Sequence, residues 1–226
     1  MSSFFLSKKE YLVISCGLLI AGLIFAGVNF AMGDKLKFDK NDQSTMRRLN
    51  VFDGDFIIGN HNAPVNVIFY GDFACVHCKR FVQDHYERLK RDYIDKGIVR
   101  FVFRPVVKHQ KTLAGAKFLF CDRRNDVENS EIFYNLFKEN WYLNSDHLNA
   151  LMKLVVDKNY STKEHFVECI SSKELTEKLY KINTETIEKL NINSTPQVFV
   201  NKKLVDANSS MFYIIEKELS GMKNSN

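Results

Sequence analysis

Residues 65–79 read VNVIFYGDFACVHCK, and this stretch decides the fold. Its first part, Val65–Tyr70, is apolar and rich in β-branched side chains, which predicts a buried strand after a proline. From about Cys75 to Lys96, apolar residues recur at spacings of one, three and four with charges between them, which indicates a helix. Cys75 and Cys78 therefore form a Cys-x-x-Cys motif at a junction between a strand and a helix.

The rest of the chain extends this strand–helix unit. A second β-branched run over Ile98–Val107 predicts another strand, and strand–helix–strand order implies parallel pairing. Residues 109 to about 190 carry helical periodicity and no strand signal. Gln197–Val200 and Lys203–Val205 then predict a β-hairpin, and a last amphipathic helix is expected over about 210–219.

Composition bounds the class of protein. The chain has 226 residues, a net charge of +5, 45% hydrophobic and 26% charged residues. This length suits one domain, with or without an insertion, and this composition excludes wholesale disorder and collagen-like repeats. Basic residues alternate with acidic ones and form no basic block, so we expect no nucleic-acid binding.

The N-terminal segment is apolar enough to target or anchor the chain. No charged residue occurs between Glu10 and Asp34, and residues 11–32 could span a hydrocarbon core of about 30 Å. We predict that residues 1–33 form a signal peptide or an uncleaved signal anchor, and we favour the anchor because the apolar run is long. A lipoprotein cleavage box before Cys16 is a third, less favoured interpretation. Basic residues after the run oppose export of the C-terminal part, and polar residues 34–50 predict a linker.

The Cys-x-x-Cys motif predicts redox chemistry. A cysteine at a helix N-terminus faces unpaired backbone N–H groups and the positive end of the helix dipole, and both stabilise a thiolate. Protonated His77 would add a positive charge between the two sulfurs. Because a stabilised thiolate favours the reduced form, the disulfide is expected to be oxidising. We predict Cys75 as the attacking sulfur, Cys78 as the resolving sulfur and His77 as their catalytic neighbour.

Two other interpretations of the cysteines are weaker. Zinc usually takes four ligands, whereas the chain has one Cys-x-x-Cys motif and two isolated cysteines, Cys121 and Cys169, with His165 four residues before the latter. We therefore predict no metal site and no cofactor. A pair of inert buried cysteines is also disfavoured, because the motif stands at a strand–helix junction.

Three motifs together resemble the DsbA-like thiol–disulfide oxidoreductases, in particular their bacterial envelope branch. They are Gly59–Val65 leading into the first strand, Asp72–Lys79 at the active site and Ser194–Asn201, which contains Thr195-Pro196. The resemblance covers about Gly59 to Leu219. It implies an α/β class with a thioredoxin-like fold interrupted by an α-helical insertion, after an N-terminal membrane or signal segment. The thioredoxin-like part would comprise residues 51–108 and 174–226, and the insertion residues 109–173.

The resemblance also implies roles for particular residues. Thr195 and Pro196 would form a cis-proline loop beside the active site, and the backbone of Thr195 would bind substrate. Cys121 and Cys169 would form a structural disulfide, with two free buried thiols as the alternative. The sequence departs from relatives at Phe69, where many bury an acid that serves the resolving cysteine, and at Val76, where DsbA proteins usually have proline.

The implied function is the introduction of disulfides into unfolded or reduced exported polypeptides. The resemblance places such a protein in the bacterial periplasm or cell envelope, held at the inner membrane if residues 1–33 are not cleaved. A quinone-linked membrane protein similar to DsbB would reoxidise it. A disulfide isomerase or reductase, and a redox-inert binding protein that reuses the fold, remain open as alternatives.

Overall fold

The centre of the fold is a five-stranded mixed sheet with the strand order β1-β3-β2-β4-β5. A computed structural model of the chain describes residues 49–52, 54–121, 124–206 and 209–223. The central strands β2 and β3 pair in parallel, as the strand–helix–strand pattern predicted, and the other three pairings are antiparallel. The strands are β1 (Phe56–Ile58), β2 (Val65–Gly71), β3 (Val99–Pro105), β4 (Gln197–Val200) and β5 (Lys203–Val205).

Helices occupy the connections, and the order of elements confirms the predicted thioredoxin-like α/β class. The first helix, α1 (Val76–Phe81), continues through a π-helical segment (Val82–Tyr86), a short α-helical one (Glu87–Leu89) and a second π-helical one (Lys90–Ile94). The described residues between β3 and β4 contain no strand. Their helices are α2 (Gln110–Cys121), α3 (Asp126–Lys138), a 3₁₀ turn (Trp141–Leu143), α4 (His147–Asp157), α5 (Lys163–Ser171) and α6 (Lys173–Thr184), which continues as a π-helical segment (Glu185–Lys189). Helix α7 (Met211–Lys223) follows the hairpin.

The sequence did not predict strand β1. It pairs antiparallel with β3 at the edge of the sheet and lies between Gly54 and Gly59, both of which have positive φ. A side chain at Gly59 would place its Cβ 2.9 Å from the carbonyl oxygen of Val99, so this turn needs glycine. Three residues are too few to carry a period-two pattern, which is why this segment shows no strand signal.

The predicted hairpin between β4 and β5 is confirmed. Its two turn residues, Asn201 and Lys202, both have positive φ, as a type I′ turn requires. Lysine is a poor residue for the second position, but Asn201 anchors the turn to the neighbouring strand. Its Oδ1 accepts from the backbone N–H of Asn66, and its own N–H donates to the carbonyl of Asn66, both at 2.9 Å.

One face of the sheet packs on helices through a cluster of phenylalanine rings. Phe69, at the centre of β2, is fully buried and stacks on Phe81 of α1 with ring centroids 4.8 Å apart. The edges of its ring meet Phe133 and Phe137 of α3. We call Phe69, Phe73, Phe81, Phe101, Phe103, Phe133 and Phe137 the phenylalanine cluster. The phenylalanine cluster joins the sheet to α1 and α3, the two helices that flank the active-site loop.

The opposite face contains a buried ion pair. Arg104 of β3 donates to both carboxylate oxygens of Asp55, at 2.9 and 2.7 Å, and to the hydroxyl of Tyr70 at 2.7 Å. Arg104 also donates to the backbone carbonyl of Asn50. Because the guanidinium and carboxylate are both almost fully buried, each depends on the other for compensation of its charge.

The predicted signal or anchor segment, 1–33, and linker residues 34–48 lie outside the described residues. Within the part of the chain that is described, no helix is both long and apolar enough to span a bilayer. Leu49, the first residue that the structure describes, is buried.

The central position of Phe69 gives a stability prediction. Phe69→Ala would remove a fully buried ring from the phenylalanine cluster and should lower the free energy of unfolding by about 3–5 kcal/mol. Tyr213→Ala is the matched control, because Tyr213 is 67% exposed and its loss should change stability little. Urea unfolding followed by circular dichroism measures both. Equal midpoints for the two variants would show that Phe69 does not hold the core together.

Candidate active site

Cys75 begins the first helix. It is the N-cap residue of α1, with extended backbone (φ −80°, ψ 115°), and its Sγ accepts a hydrogen bond from the backbone N–H of Cys78 at 3.4 Å. The structure contains both cysteines as free thiols, with Cys75 half-buried and Cys78 fully buried. Cys75, the predicted attacking thiol, therefore lies at a helix N-terminus as the sequence predicted, and of the two sulfurs it is the more exposed.

The two thiols have opposite acidities. Hydrogen bonding from the Cys78 side chain, helped by the Thr195 side chain and the backbone N–H groups of Cys78 and His77, lowers the pKa of Cys75 to about 5, although burial acts in the opposite direction. Burial raises the pKa of Cys78 well above its usual value, and the adjoining Cys75 raises it further. At neutral pH, Cys75 is thus a thiolate and Cys78 a thiol.

The loop before β4 lies against Cys75. The Cys75 sulfur lies 3.3 Å from the backbone carbonyl oxygen of Thr195, to which the protonated thiol donates, and the Thr195-Pro196 peptide is cis. Strand pairing explains how residues so distant in the sequence meet. Gln197, the first residue of β4, is the partner of Tyr70 near the end of β2, so the segments next to these residues reach the same edge of the sheet.

An open groove of about 690 Å³ runs along this edge. His77 and Arg80 of α1 form its basic side, and both are exposed. His77 acts on Cys75 through its backbone N–H, while its side chain faces the groove. The remaining lining comes from the proline loop and the end of the hairpin: Ser194, Pro196, Gln197, Leu204, Val205 and Asp206.

Asp72 fixes the active-site loop. Its buried carboxylate accepts from the backbone N–H of Ala74 at 2.7 Å, from the backbone N–H of Lys108 at 3.1 Å and from the hydroxyl of Thr112 at 3.2 Å. The first bond is an Asx turn, which the Asp72-Phe73-Ala74 sequence permits. The other two tie the loop to the segment after β3 and to α2, which sequence reasoning did not foresee.

Two aromatic residues that follow α3, Trp141 and Tyr142, lie in different surroundings. Trp141 is buried and donates from its indole to the carbonyl of Leu136, so it belongs to the core. Tyr142 is half-buried, and its pKa is raised by burial and then by the negative charges of Asp72 and Cys75. The Tyr142 hydroxyl is therefore near enough to Cys75 for the charge of its thiolate to affect it.

Cys121 and Cys169 are bonded to each other, with Cα atoms 5.6 Å apart. They lie at the end of α2 and within α5, and so on different elements from Cys75 and Thr195. The structure therefore separates the four described cysteines into a free pair and a bonded pair.

Comparison with known proteins points the same way as the geometry. A family model described as thioredoxin matches residues 52–214. A probable disulfide bond formation protein D of Bacillus cereus is 31% identical over 169 residues, which is 72% of this chain and 77% of that protein. The crystal structure of oxidised BdbD from Bacillus subtilis superposes with a TM-score of 0.66 at 25% identity, over 75% of this chain and 95% of that one. Alpha-DsbA1 of Wolbachia pipientis, 23% identical, has the same fold, with a TM-score of 0.66 over 80% of this chain and 100% of that one.

The acidity of Cys75 predicts the pH dependence of its alkylation. Because only the thiolate reacts, the rate for the reduced protein should be constant near neutral pH, fall to half near pH 5 and vanish as the pH drops further. Stopped-flow measurement with iodoacetamide gives this profile. Mass spectrometry of the singly alkylated product should locate the label on Cys75, with Cys75→Ser as the control that removes the fast phase. A midpoint near the ordinary thiol value of about 8.5 would contradict the assigned environment.

Proposed function

We infer the function of this chain from its similarity to known proteins. The chain belongs to the thioredoxin family and is a DsbA-like protein-disulfide oxidoreductase. We propose that Cys75 and Cys78 are its redox-active pair and that it introduces disulfides into reduced exported polypeptides. The observation that carries this proposal is that the two sulfurs differ in acidity and exposure. Cys75 is an accessible thiolate, whereas Cys78 beside it is a buried thiol.

The proposed reaction begins with the Cys75–Cys78 disulfide. A substrate thiolate attacks Cys75 Sγ, which is the accessible sulfur, and a mixed disulfide forms as the Cys78 sulfur leaves and takes up a proton. The second substrate thiolate then attacks the substrate sulfur of this mixed disulfide and displaces Cys75. The substrate has lost two electrons, and the enzyme has gained them as one thiol and one thiolate.

The low pKa of Cys75 favours the last step of this sequence. A thiol of low pKa is a good leaving group, so displacement of Cys75 from the mixed disulfide should be fast. The same stabilised thiolate shifts the equilibrium toward reduced enzyme and oxidised substrate. Both effects support net oxidation.

We propose that substrate lies as an extended segment along the groove beside Cys75. The backbone of Thr195, next to Pro196, is within hydrogen-bonding distance of the reactive sulfur and could pair with such a segment. His77 and the groove around it would contact the flanking residues of the substrate. In this scheme the helical insertion, residues 109–173, covers the other side of the site through Tyr142.

We further propose that the protein works in the bacterial cell envelope and is reoxidised there by a quinone-linked membrane protein similar to DsbB. The bonded Cys121 and Cys169 suit an oxidising compartment, because such bonds persist there and are rare in the cytosol. Residues 1–33 would deliver the chain to that compartment and, if uncleaved, hold it at the membrane.

The reduction potential distinguishes an oxidase from a reductase or isomerase. Because the Cys75 thiolate is stabilised, we expect equilibration with glutathione to give a potential well above the roughly −270 mV of thioredoxin and toward the roughly −120 mV of strong oxidants. Val76 occupies the position where strong oxidants of this family usually have proline, so Val76→Pro is the informative comparison. A wild-type potential near that of thioredoxin would favour the reductase alternative.

Substitution of each cysteine separates the two proposed roles. Cys75→Ser should abolish oxidation of a reduced two-cysteine peptide. Cys78→Ser keeps the attacking sulfur of Cys75 but lacks the sulfur that would resolve a mixed disulfide. A mixed disulfide preformed between Cys75 and a single-cysteine peptide should therefore persist in this variant. Cys16→Ser is the matched control and should oxidise the peptide at the wild-type rate. Undiminished turnover by Cys75→Ser, measured by loss of free thiol, would refute the catalytic assignment.

A further inference from the structure

A second group of metal-ligating side chains lies away from the active site. Cys121 at the end of α2 and His165 and Cys169 of α5 bring two sulfur atoms and a ring nitrogen within 4.8 Å of one another. Cys169 is buried, whereas Cys121 and His165 are partly exposed. His165 lies on a different element from Cys75 and takes no part in the chemistry proposed there.

The geometry around His165 suits a metal ligand. Its Nε2 lies 3.6 Å from Cys169 Sγ, and its Nδ1 lies 3.5 Å from Oε2 of Glu168. A tetrahedral zinc ion bound at about 2.3 Å from sulfur and about 2.0–2.1 Å from nitrogen separates those two atoms by roughly 3.5 Å. A carboxylate on the other ring nitrogen is the usual outer partner of a metal-bound histidine.

Contacts other than the disulfide also hold α2 and α5 together. Lys117, one turn before Cys121, donates to the backbone carbonyl of Ile170 and to the hydroxyl of Thr176 at 2.7 Å. The rings of Phe118 and Phe166 pack between the same helices, with centroids 5.8 Å apart. Opening of the disulfide would therefore leave the two sulfurs near each other, and the partly exposed Cys121 can rotate to widen their separation.

We propose that reduction of the Cys121–Cys169 disulfide creates a two-cysteine, one-histidine site for a zinc-like divalent metal ion. A dithiol reductant supplies two electrons and two protons, and is itself oxidised to a disulfide as the Cys121–Cys169 bond opens. The two protein thiols then release two protons as the ion binds both sulfurs and His165 Nε2. Water occupies the fourth position. The oxidised chain cannot form this site, because both sulfurs are used in the bond, so metal binding depends on the redox state of the pair.

The bound ion would replace the disulfide as a crosslink. It would close the same loop, since the two cysteines are 48 residues apart in the sequence. The site thus keeps α2 and α5 connected when the disulfide is lost.

Cobalt(II) is the spectroscopic probe and zinc(II) the competitor. The test uses the full chain with Cys16→Ser, Cys75→Ser and Cys78→Ser, so that Cys121 and Cys169 are its remaining cysteines. This background lacks the proposed catalytic pair, so the outcome is independent of the proposed function. The protein is reduced with a dithiol, desalted without oxygen and titrated with cobalt. We expect one equivalent of cobalt to produce thiolate charge-transfer bands and tetrahedral d–d bands. Zinc should displace the cobalt and remove these bands. The oxidised protein should show neither kind of band.

Three variants in the same background test the ligands. His165→Ala should weaken cobalt binding at least tenfold and change the d–d bands. Glu168→Gln, which removes the outer carboxylate, should weaken it by about tenfold or more. His147→Ala, a histidine on α4, is the matched control and should bind as the parent does. An unchanged spectrum and affinity in His165→Ala would overturn the proposal. Absence of tetrahedral bands in the reduced parent would do so too, as would circular dichroism showing that the metal-bound reduced chain is unfolded.

Discussion

The pairing of β2 with β4 is the constraint on which the active site depends. It fixes Tyr70 opposite Gln197, so the chain that leaves β2 toward Cys75 and the chain that enters β4 from Thr195 meet at one sheet edge. A shift by one residue would turn every side chain of β4 to the other face and move the Thr195 carbonyl away from Cys75 Sγ. The hydrogen bonds between Asn201 and Asn66 secure this register from the far end of β4.

Phe69 stands at the position where many relatives bury an acid that serves the resolving cysteine. A carboxyl group at its position would lie among phenylalanine rings, where burial favours the neutral form of the acid. The phenyl ring instead completes the packing of α1 and α3 on the sheet. Cys78 is fully buried, whereas Cys75 is half-buried, so Cys75 is the more open side of the pair.

The sequence was sufficient to predict the strands and helices that carry the site, because periodic apolar patterns and the Cys-x-x-Cys motif are local signals. The strand β2, the first helix and the β4–β5 hairpin all follow from such patterns, and each is present. Strand β1 was missed because it is too short to show a period. The bonds from Asp72 to Lys108 and Thr112 were missed for a different reason. They join segments whose proximity arises only when α2 has packed beside the active-site loop, and no local pattern encodes that packing.

The two cysteine pairs show how position decides the behaviour of the same side chain. Cys75 and Cys78 lie in one helical turn, where backbone N–H groups stabilise a thiolate and so lower the stability of their disulfide. Cys121 and Cys169 join two helices and close a loop of 48 residues, so their bond restricts the unfolded chain far more than a bond within one turn could. At a redox potential at which the first pair cycles, the second can therefore stay oxidised, and opening it takes a stronger reductant. A protein that exchanges electrons through one disulfide needs this difference if its other disulfide is to survive each turnover.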